Sequence, residues 1–235
     1  MNESVIYLPQ VGSTNAWAKE NIAQFGPVGA VYTTDQTAGR GRLGRGWVDA
    51  PGKGLYYTAV IKTDLAQPST LPLFASLAVC DALKQRYGID CQIKWPNDLL
   101  LNGKKIVGIL CEVAPDGHSL VVGIGINLNT EIFPEELSEK AGSLGCRPDR
   151  SILAAEIASQ LHAFAREPWK RTFMQEYTRR SMVLGRRVVL DCWGARTEGV
   201  AVGFDENGGL FLDTGKGEPE LFTGGEISLR LSGKE

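Results

Sequence analysis

Residues 39–46 read GRGRLGRG, four glycines and three arginines around one leucine. Glycine costs backbone entropy in helices and strands, so the segment is a loop. Its backbone N–H groups can approach an anion closely, and Arg40, Arg42 and Arg45 add planar forks suited to phosphate or carboxylate. Asp35 is a nearby acid. Two readings remain, an anion-binding loop or a solvated surface loop. It is neither a Walker A sequence nor a GxGxxG turn, because no helix pattern follows. A second set of charges lies in KWPNDLLLNGKK, residues 94–105, where Lys94 adjoins Trp95 and the Asn97-Asp98 pair, and Lys105 opens the apolar run IVGIL. Lys105 is either an edge residue reaching for water or a cation fixed at a pocket wall, able to stabilise charge on a reacting phosphate. Asp98 is a turn former, or it orients a lysine, a substrate amine or Mg2+.

A third stretch is VVGIGINLN, residues 121–129. Gly123 and Gly125 weaken a strand unless something must come close to its backbone. Asn127 and Asn129 alternate with apolar residues and so point the same way, toward a ligand or an internal turn. Ser13-Thr14-Asn15 is a helix cap, or a polar helix start suited to a ligand's polar head. His118 and His162 have no partners at metal-ligand spacing, so no metal site is expected. Neither a Ser-His-Asp nor a Cys-His arrangement can be assembled. The chemistry indicated is positioning plus electrostatics.

These groups need a scaffold. STNAWAKENIAQF (13–25) reads as a short helix with Ser13 as its N-cap. AVYTTDQ (30–36) and GLYYTAVIK (54–62) read as strands flanking the glycine–arginine loop. Residues 69–87 form a buried helix with Pro72 near its start and Gly88 at its end. Residues 91–113 read as strand, tight turn and strand, broken at Pro96 and turned at Asn102-Gly103. Residues 118–130 form a strand apolar on both faces, which suits the middle of a sheet. Helices follow over 150–166 and 168–180, joined at Pro168. After Gly185 come only short alternating strands with glycine and asparagine turns, a small all-β module. The fold class is therefore α/β or α+β with a β appendage.

The chain has 235 residues, 43% hydrophobic and 22% charged, with a formal net charge of −2. That provides a real core, and it excludes a basic overall surface for nonspecific nucleic-acid binding. Any anion site is local. Five widely spaced cysteines without a CxxC pair indicate free thiols in a reducing compartment. Neither a signal peptide nor a membrane-spanning run is expected, and the predicted location is the cytoplasm.

The order of the motifs, STN, DQTAGRGRLGRGW, KWPNDLLLNGKKIVGILCE, GIGINLN and a C-terminal β module, resembles that of the biotin protein ligases. The resemblance covers nearly the whole chain. It implies an α+β fold, a mixed β-sheet flanked by helices and similar to class II aminoacyl-tRNA synthetases, over residues 1–184. A small SH3-like β-barrel follows over 185–235. It also implies that ATP, Mg2+ and biotin form biotinyl-5′-AMP, whose acyl group passes to a lysine of a biotin carboxyl carrier protein. Ser13, Thr14, Asn15 and Gln36 match contacts to the biotin ureido group. Arg40, Gly41 and Arg42 match the loop over biotin and the adenylate phosphate, with Gly39 and Trp47 beside it. Lys105 matches the lysine at the biotin carboxylate and α-phosphate, Gly108 adjoins it, and Asp98 matches a motif aspartate. Gly123, Gly125 and Asn127 match the adenine side. The first ligase motif begins at Ser13, so a DNA-binding repressor domain is not expected, nor a DNA or membrane partner; a homodimer is possible in such a family. Two rivals remain: a lipoate or octanoate ligase sharing the catalytic lysine, and a non-catalytic biotin sensor. The GRGRLGRG loop and KWPND favour biotin over lipoate, and Lys105 with three loop arginines favours catalysis.

Overall fold

The computed structural model describes residues 5–48, 50–62, 70–166 and 172–229. Their β-branched, period-two segments build a seven-stranded mixed sheet. Its strands are β1 (Val5–Tyr7), β2 (Val28–Thr33), β3 (Gly54–Lys62), β4 (Gln92–Lys94), β5 (Asp98–Leu101), β6 (Lys104–Val113) and β7 (Ser119–Asn127). The order across the sheet is β1-β2-β3-β7-β6-β5-β4, with β1 and β2 parallel and the other pairs antiparallel. Strands β3 and β7 lie in the middle, which explains why both are apolar on both faces.

One face packs on helices α2 (Leu71–Tyr87) and α3 (Arg150–Arg166) through Leu55, Tyr57, Ile109 and Ile124. Helix α2 is buried nearly all round. Pro72 sits in its first turn, and Gly88 closes it at φ 69°, sending its N–H back to Leu83 and Lys84. The other face carries α1 (Thr14–Glu20) at one end only, over Val31, Val60 and Val121. The rest of that face is left for the site.

Three expectations change at their edges. The strand expected over 30–36 stops at Thr33, whose hydroxyl bonds the backbone of Asp35 and turns the chain. Gln36 then pairs with Val11 in an isolated bridge. The helix expected over 13–25 ends at Glu20, with a 3-10 turn at Ile22–Gln24. The junction at Pro168 and the start at Ser69 lie outside the described residues, and α4 runs from Phe173 to Arg180.

The C-terminal strands β8 (Arg187–Cys192), β9 (Ala195–Phe204), β10 (Leu210–Asp213), β11 (Glu220–Phe222) and β12 (Glu226–Leu229) form an antiparallel sheet in the order β11-β10-β9-β8-β12. Its buried Val188, Leu190, Leu210 and Leu212 belong to the same apolar cluster as the main sheet. Buried Trp95 links the two by donating its indole N–H to the Gly208 carbonyl at 2.8 Å.

Candidate active site

Strand register places the motif residues in rows. One row crosses six strands as Thr33–Tyr56–Gly125–Gly108–Asp98–Lys94. The next row is Val31–Thr58–Gly123–Leu110. Side chains alternate along a strand, so both rows face the side that α1 covers in part.

Glycine clears that face. A Cβ at Gly125 would stand 2.7 Å from Trp47 Cε2, and one at Gly108 would stand 2.5 Å from Trp47 Cζ3. The indole therefore lies against two bare backbones. Trp47 Nε1 is buried and has no hydrogen-bond partner among the described residues. Gly123 makes room for the buried Asn15 amide, whose Cγ would be 2.8 Å from a Cβ there.

Lys105 reaches this face because of a bulge. In a regular strand, residues 105 and 108 point to opposite sides. The β5–β6 register pairs Leu99 with Val107 but Leu100 with Lys105, leaving Ile106 as the extra residue. Lys105 Nζ then lies 3.1 Å from the Cβ position of Gly108, 2.7 Å from Asp98 Oδ1 and 5.5 Å from the Trp47 ring centroid. Asp98 and the indole fix the ammonium between them. Lys94, opposite Asp98, is half-buried; burial lowers its ammonium pKa and the Asp98 charge opposes that shift.

The glycine–arginine loop folds back on itself. Gly41 N–H donates to Arg45 O at 2.7 Å, and Trp47 N–H to Gly39 O at 3.0 Å. Arg42 spans three segments, donating to Asn97 Oδ1 at 2.8 Å and to Gly225 O at 3.2 Å. Asn97 is held in turn through its amide to Ile109 O at 2.7 Å. Arg45 makes a two-pronged ion pair with Glu226 at 2.7 Å, exposed and so worth at most about 1 kcal/mol. Arg40 is exposed, at the bridge with Gly46. Beneath Arg42 and Leu43 a cavity of about 350 Å³ extends between Trp95–Asn97, Ile109–Cys111 and the 207–209 and 223–224 turns.

At the other end of the patch, Ser13 caps α1, and the Thr14 backbone and hydroxyl both donate to Gln36 Oε1, at 2.9 and 3.2 Å. All three are buried. Asn15 is different. Its Oδ1 accepts from Thr58 at 2.7 Å and its Nδ2 donates to Glu112 at 2.9 Å, so its amide anchors the helix to the sheet. The Asn127 amide donates to Gly142 O at 2.9 Å.

Thus Thr14, Gln36, Trp47, Asp98, Lys105, Gly108, Gly123 and Gly125 meet on one face, Arg42 closes its edge, and Asn15 lies below it. Sequence reasoning missed Glu112, Thr58 and Glu226. Glu112 was readable as the third alternate position after Gly108 and Leu110 in β6. Thr58 and Glu226 carry no local signal, because their partners are 43 and 181 residues away.

Burial alone would raise the Glu112 carboxyl. Hydrogen bonds from Lys19 at 2.6 Å and from Asn15, with the Lys19 and Arg40 charges, outweigh it and hold the pKa below 4.5. A lowered folded pKa stabilises above the unfolded value and is lost as pH falls through the folded one. The stability deficit of Glu112→Gln is therefore expected to be full near neutral pH and to fade as pH falls through the lowered Glu112 pKa, read as thermal midpoint against pH.

Residues 7–129 match the biotin/lipoate A/B protein ligase family, and residues 183–230 match the biotin protein ligase C-terminal domain. The chain belongs to the biotin/lipoate A/B protein ligase family. A bifunctional ligase/repressor of Bacillus spizizenii is 31% identical over 95% of this chain and 73% of its own length. A biotin–[acetyl-CoA-carboxylase] ligase of Paracoccus denitrificans is 31% identical over 93% of this chain and all of its own. The biotin protein ligase of Aquifex aeolicus, solved with biotin and ATP, superposes with a TM-score of 0.84 at 32% identity, covering 98% of this chain and 100% of that one. This member of the biotin/lipoate ligase family is thus an enzyme that forms bonds, built as a mixed sheet with helices and a C-terminal domain. Among its described residues, no helix is long and apolar enough to cross a membrane, and no group of three His, Cys, Asp or Glu is placed to hold a metal.

Proposed function

We propose that this chain joins biotin to AMP and passes the biotinyl group to a lysine of a biotin carboxyl carrier protein in the cytoplasm. The observation that carries this is the glycine-cleared strip Gly108–Gly125 between Trp47 and the Lys105 ammonium. An extended ligand can take the place of the Trp47 indole against that bare backbone once the indole lifts away, with its polar head toward Thr14 and Gln36 and its carboxylate at Lys105.

In the first step a biotin carboxylate oxygen bonds to the α-phosphorus of ATP. The bond to the bridging oxygen breaks, and pyrophosphate leaves with its electron pair. Both reactants are anions, so Lys105, Arg40 and Arg42 offset their repulsion and the charge that builds in the transition state. Asp98 holds Lys105 across the row. In the second step a carrier amine attacks the acyl carbon and AMP leaves. Gly125 and Asn127 serve the nucleotide side, Ser13, Thr14 and Gln36 the ureido group, and Gly123, matched by its motif to the nucleotide side, instead makes room for Asn15. Asn15 serves as their anchor instead of a direct contact. Gly39, Gly41 and Trp47 form the rest of the cover. Mg2+ enters as MgATP, since Asp98 is already engaged by Lys105 and magnesium is commonly held through substrate phosphates. Residues 1–184 form the catalytic unit, similar to class II aminoacyl-tRNA synthetases, and 185–235 the SH3-like unit.

Incubation with ATP, carrier domain and one acid at a time tests this. Carrier labelling by biotin, and not by lipoate or octanoate, is the expected result; labelling by lipoate alone contradicts it. Arg42→Gly removes the bonds to Asn97 and Gly225 that close the loop. The adenylate should then escape about tenfold faster or more, since charged hydrogen bonds contribute roughly 1.5–3 kcal/mol. Stray lysines on a bystander protein should become biotinylated, as read by avidin blot.

A further inference from the structure

Lys94 has no assigned role in the site, yet its surroundings call for an anion. It faces Asp98 directly in the β4–β5 ladder, so the two side chains leave the same side of the sheet. It is half-buried, and its ammonium makes no hydrogen bond or ion pair among the described residues. The carboxylates whose charge reaches it are those of Asp98 and Glu226. Asp98 is bonded to Lys105 at 2.7 Å, and Glu226 is gripped by both arms of Arg45 at 2.7 Å. The Lys105 and Lys140 charges also reach it and add to the positive charge there. A part-buried cation whose neighbouring carboxylates are taken is costly unless an anion completes it.

The row gives the position of that anion. Gly125, Gly108, Asp98 and Lys94 follow one another strand by strand, at about 4.8 Å per step. Lys105, tied to Asp98, occupies the middle of this series, and Lys94 lies one strand further from the glycine strip.

We propose that Lys94 is a catalytic residue of the first half-reaction, whose ammonium receives the β- and γ-phosphates of ATP and the charge that passes to pyrophosphate. This rests on the adenylation reading above. As the carboxylate oxygen bonds to the α-phosphorus, the bond to the α–β bridging oxygen breaks and its electron pair stays on the diphosphate. Lys105 serves the α-phosphate side of that bond and Lys94 the departing side. The acceptor lysine enters after pyrophosphate has gone, so Lys94 acts in the first step and is idle in the second.

The test separates the two steps in wild type, Lys94→Ala and Lys94→Arg. Biotin-dependent ATP–pyrophosphate exchange in the wild type establishes the underlying reaction, and its absence would defeat the adenylation reading whatever the variants do. Given that exchange, Lys94→Ala is expected to lower kcat/KM for ATP about 100-fold and to weaken product inhibition by pyrophosphate. Transfer from supplied biotinyl-5′-AMP to the carrier should stay at the wild-type rate, which also shows that the variant is folded. Lys94→Arg should recover most of the exchange. Unchanged kcat/KM for ATP in Lys94→Ala overturns the proposal. So does an equal loss in both steps, or a loss in the transfer step alone.

Discussion

Lys105→Ala is expected to slow biotin-dependent pyrophosphate release by about 10²–10³-fold, the usual cost of removing one donor aimed at developing charge. No neighbour can replace it. Lys94 lies on the next strand but one, beyond Asp98, and Arg40 and Arg42 approach from the loop and not from the Gly108–Asp98 row. The bulge at Ile106 puts this one side chain on the glycine face, so the position cannot be supplied by a lysine at 104. Lys105→Arg should not rescue it, because the ammonium already sits 3.1 Å from the Cβ position of Gly108 and against Trp47, leaving little room for a planar fork. The substitution also leaves Asp98, 20% exposed, without its partner, so a thermal scan must accompany the rate. A folded variant with near-wild-type pyrophosphate release would remove Lys105 from the chemistry.

The second large effect separates glycines that are two residues apart. Gly123→Ala and Gly125→Ala place a methyl group on the same face, but against different neighbours. At Gly123 the methyl meets the Asn15 amide, buried and bonded to Thr58 and Glu112. Displacing it leaves buried polar groups unpaired, at about 1–3 kcal/mol each. For a chain of this size the thermal midpoint should fall by roughly 5–15 °C. At Gly125 the methyl meets the Trp47 ring, with Cε2 at 2.7 Å and Cζ2 at 2.9 Å. Trp47 belongs to a surface loop and can swing outward. The thermal midpoint should then move by about 3 °C or less, roughly 1 kcal/mol, while KM for biotin and ATP rises steeply with loss of the closed strip. Calorimetry and initial rates on the pair check this. Equal stability losses, or a silent Gly125→Ala, would contradict the division of the face into an anchored end and a covered ligand strip.

Much of this was readable from residue order. Ser13 before an alanine-rich turn, Gly88 after a leucine-rich one and Asn102-Gly103 between apolar runs each carry a local conformational cause, and each element formed near where that cause places it. GIGIN announced a close approach because glycine in a central strand has no packing reason to be there. What approaches was not readable. Trp47 and Asn15 reach Gly125 and Gly123 through tertiary folding, and the bulge that turns Lys105 follows from pairing with β5, which no periodicity along β6 displays. Asn15 shows the limit most clearly. Its type suits a ligand contact as well as an anchor, and its bonds to Thr58 and Glu112 support the anchor. Arg42 and Arg45 look alike in GRGRLGRG, yet one holds a half-buried junction and the other an exposed pair with Glu226.

The loop over residues 39–46 joins these threads. Its backbone closes on itself, while Arg42 reaches KWPND on one side and the β11–β12 turn on the other. Glycine lets such a segment open for entry, and in the proposed reaction its arginines give a phosphate reason to close it, shielding a mixed anhydride from water.

A crystal structure of the protein with biotinyl-5′-AMP tests the central claim most directly. The account predicts the acyl phosphate at Lys105, the ligand lying over Gly108 and Gly125 beneath a Trp47 indole lifted off these glycines, and Arg40 and Arg42 of an ordered 39–46 loop facing the phosphate. An adenylate bound elsewhere, with Lys105 distant from the phosphate and the loop turned away, would contradict it.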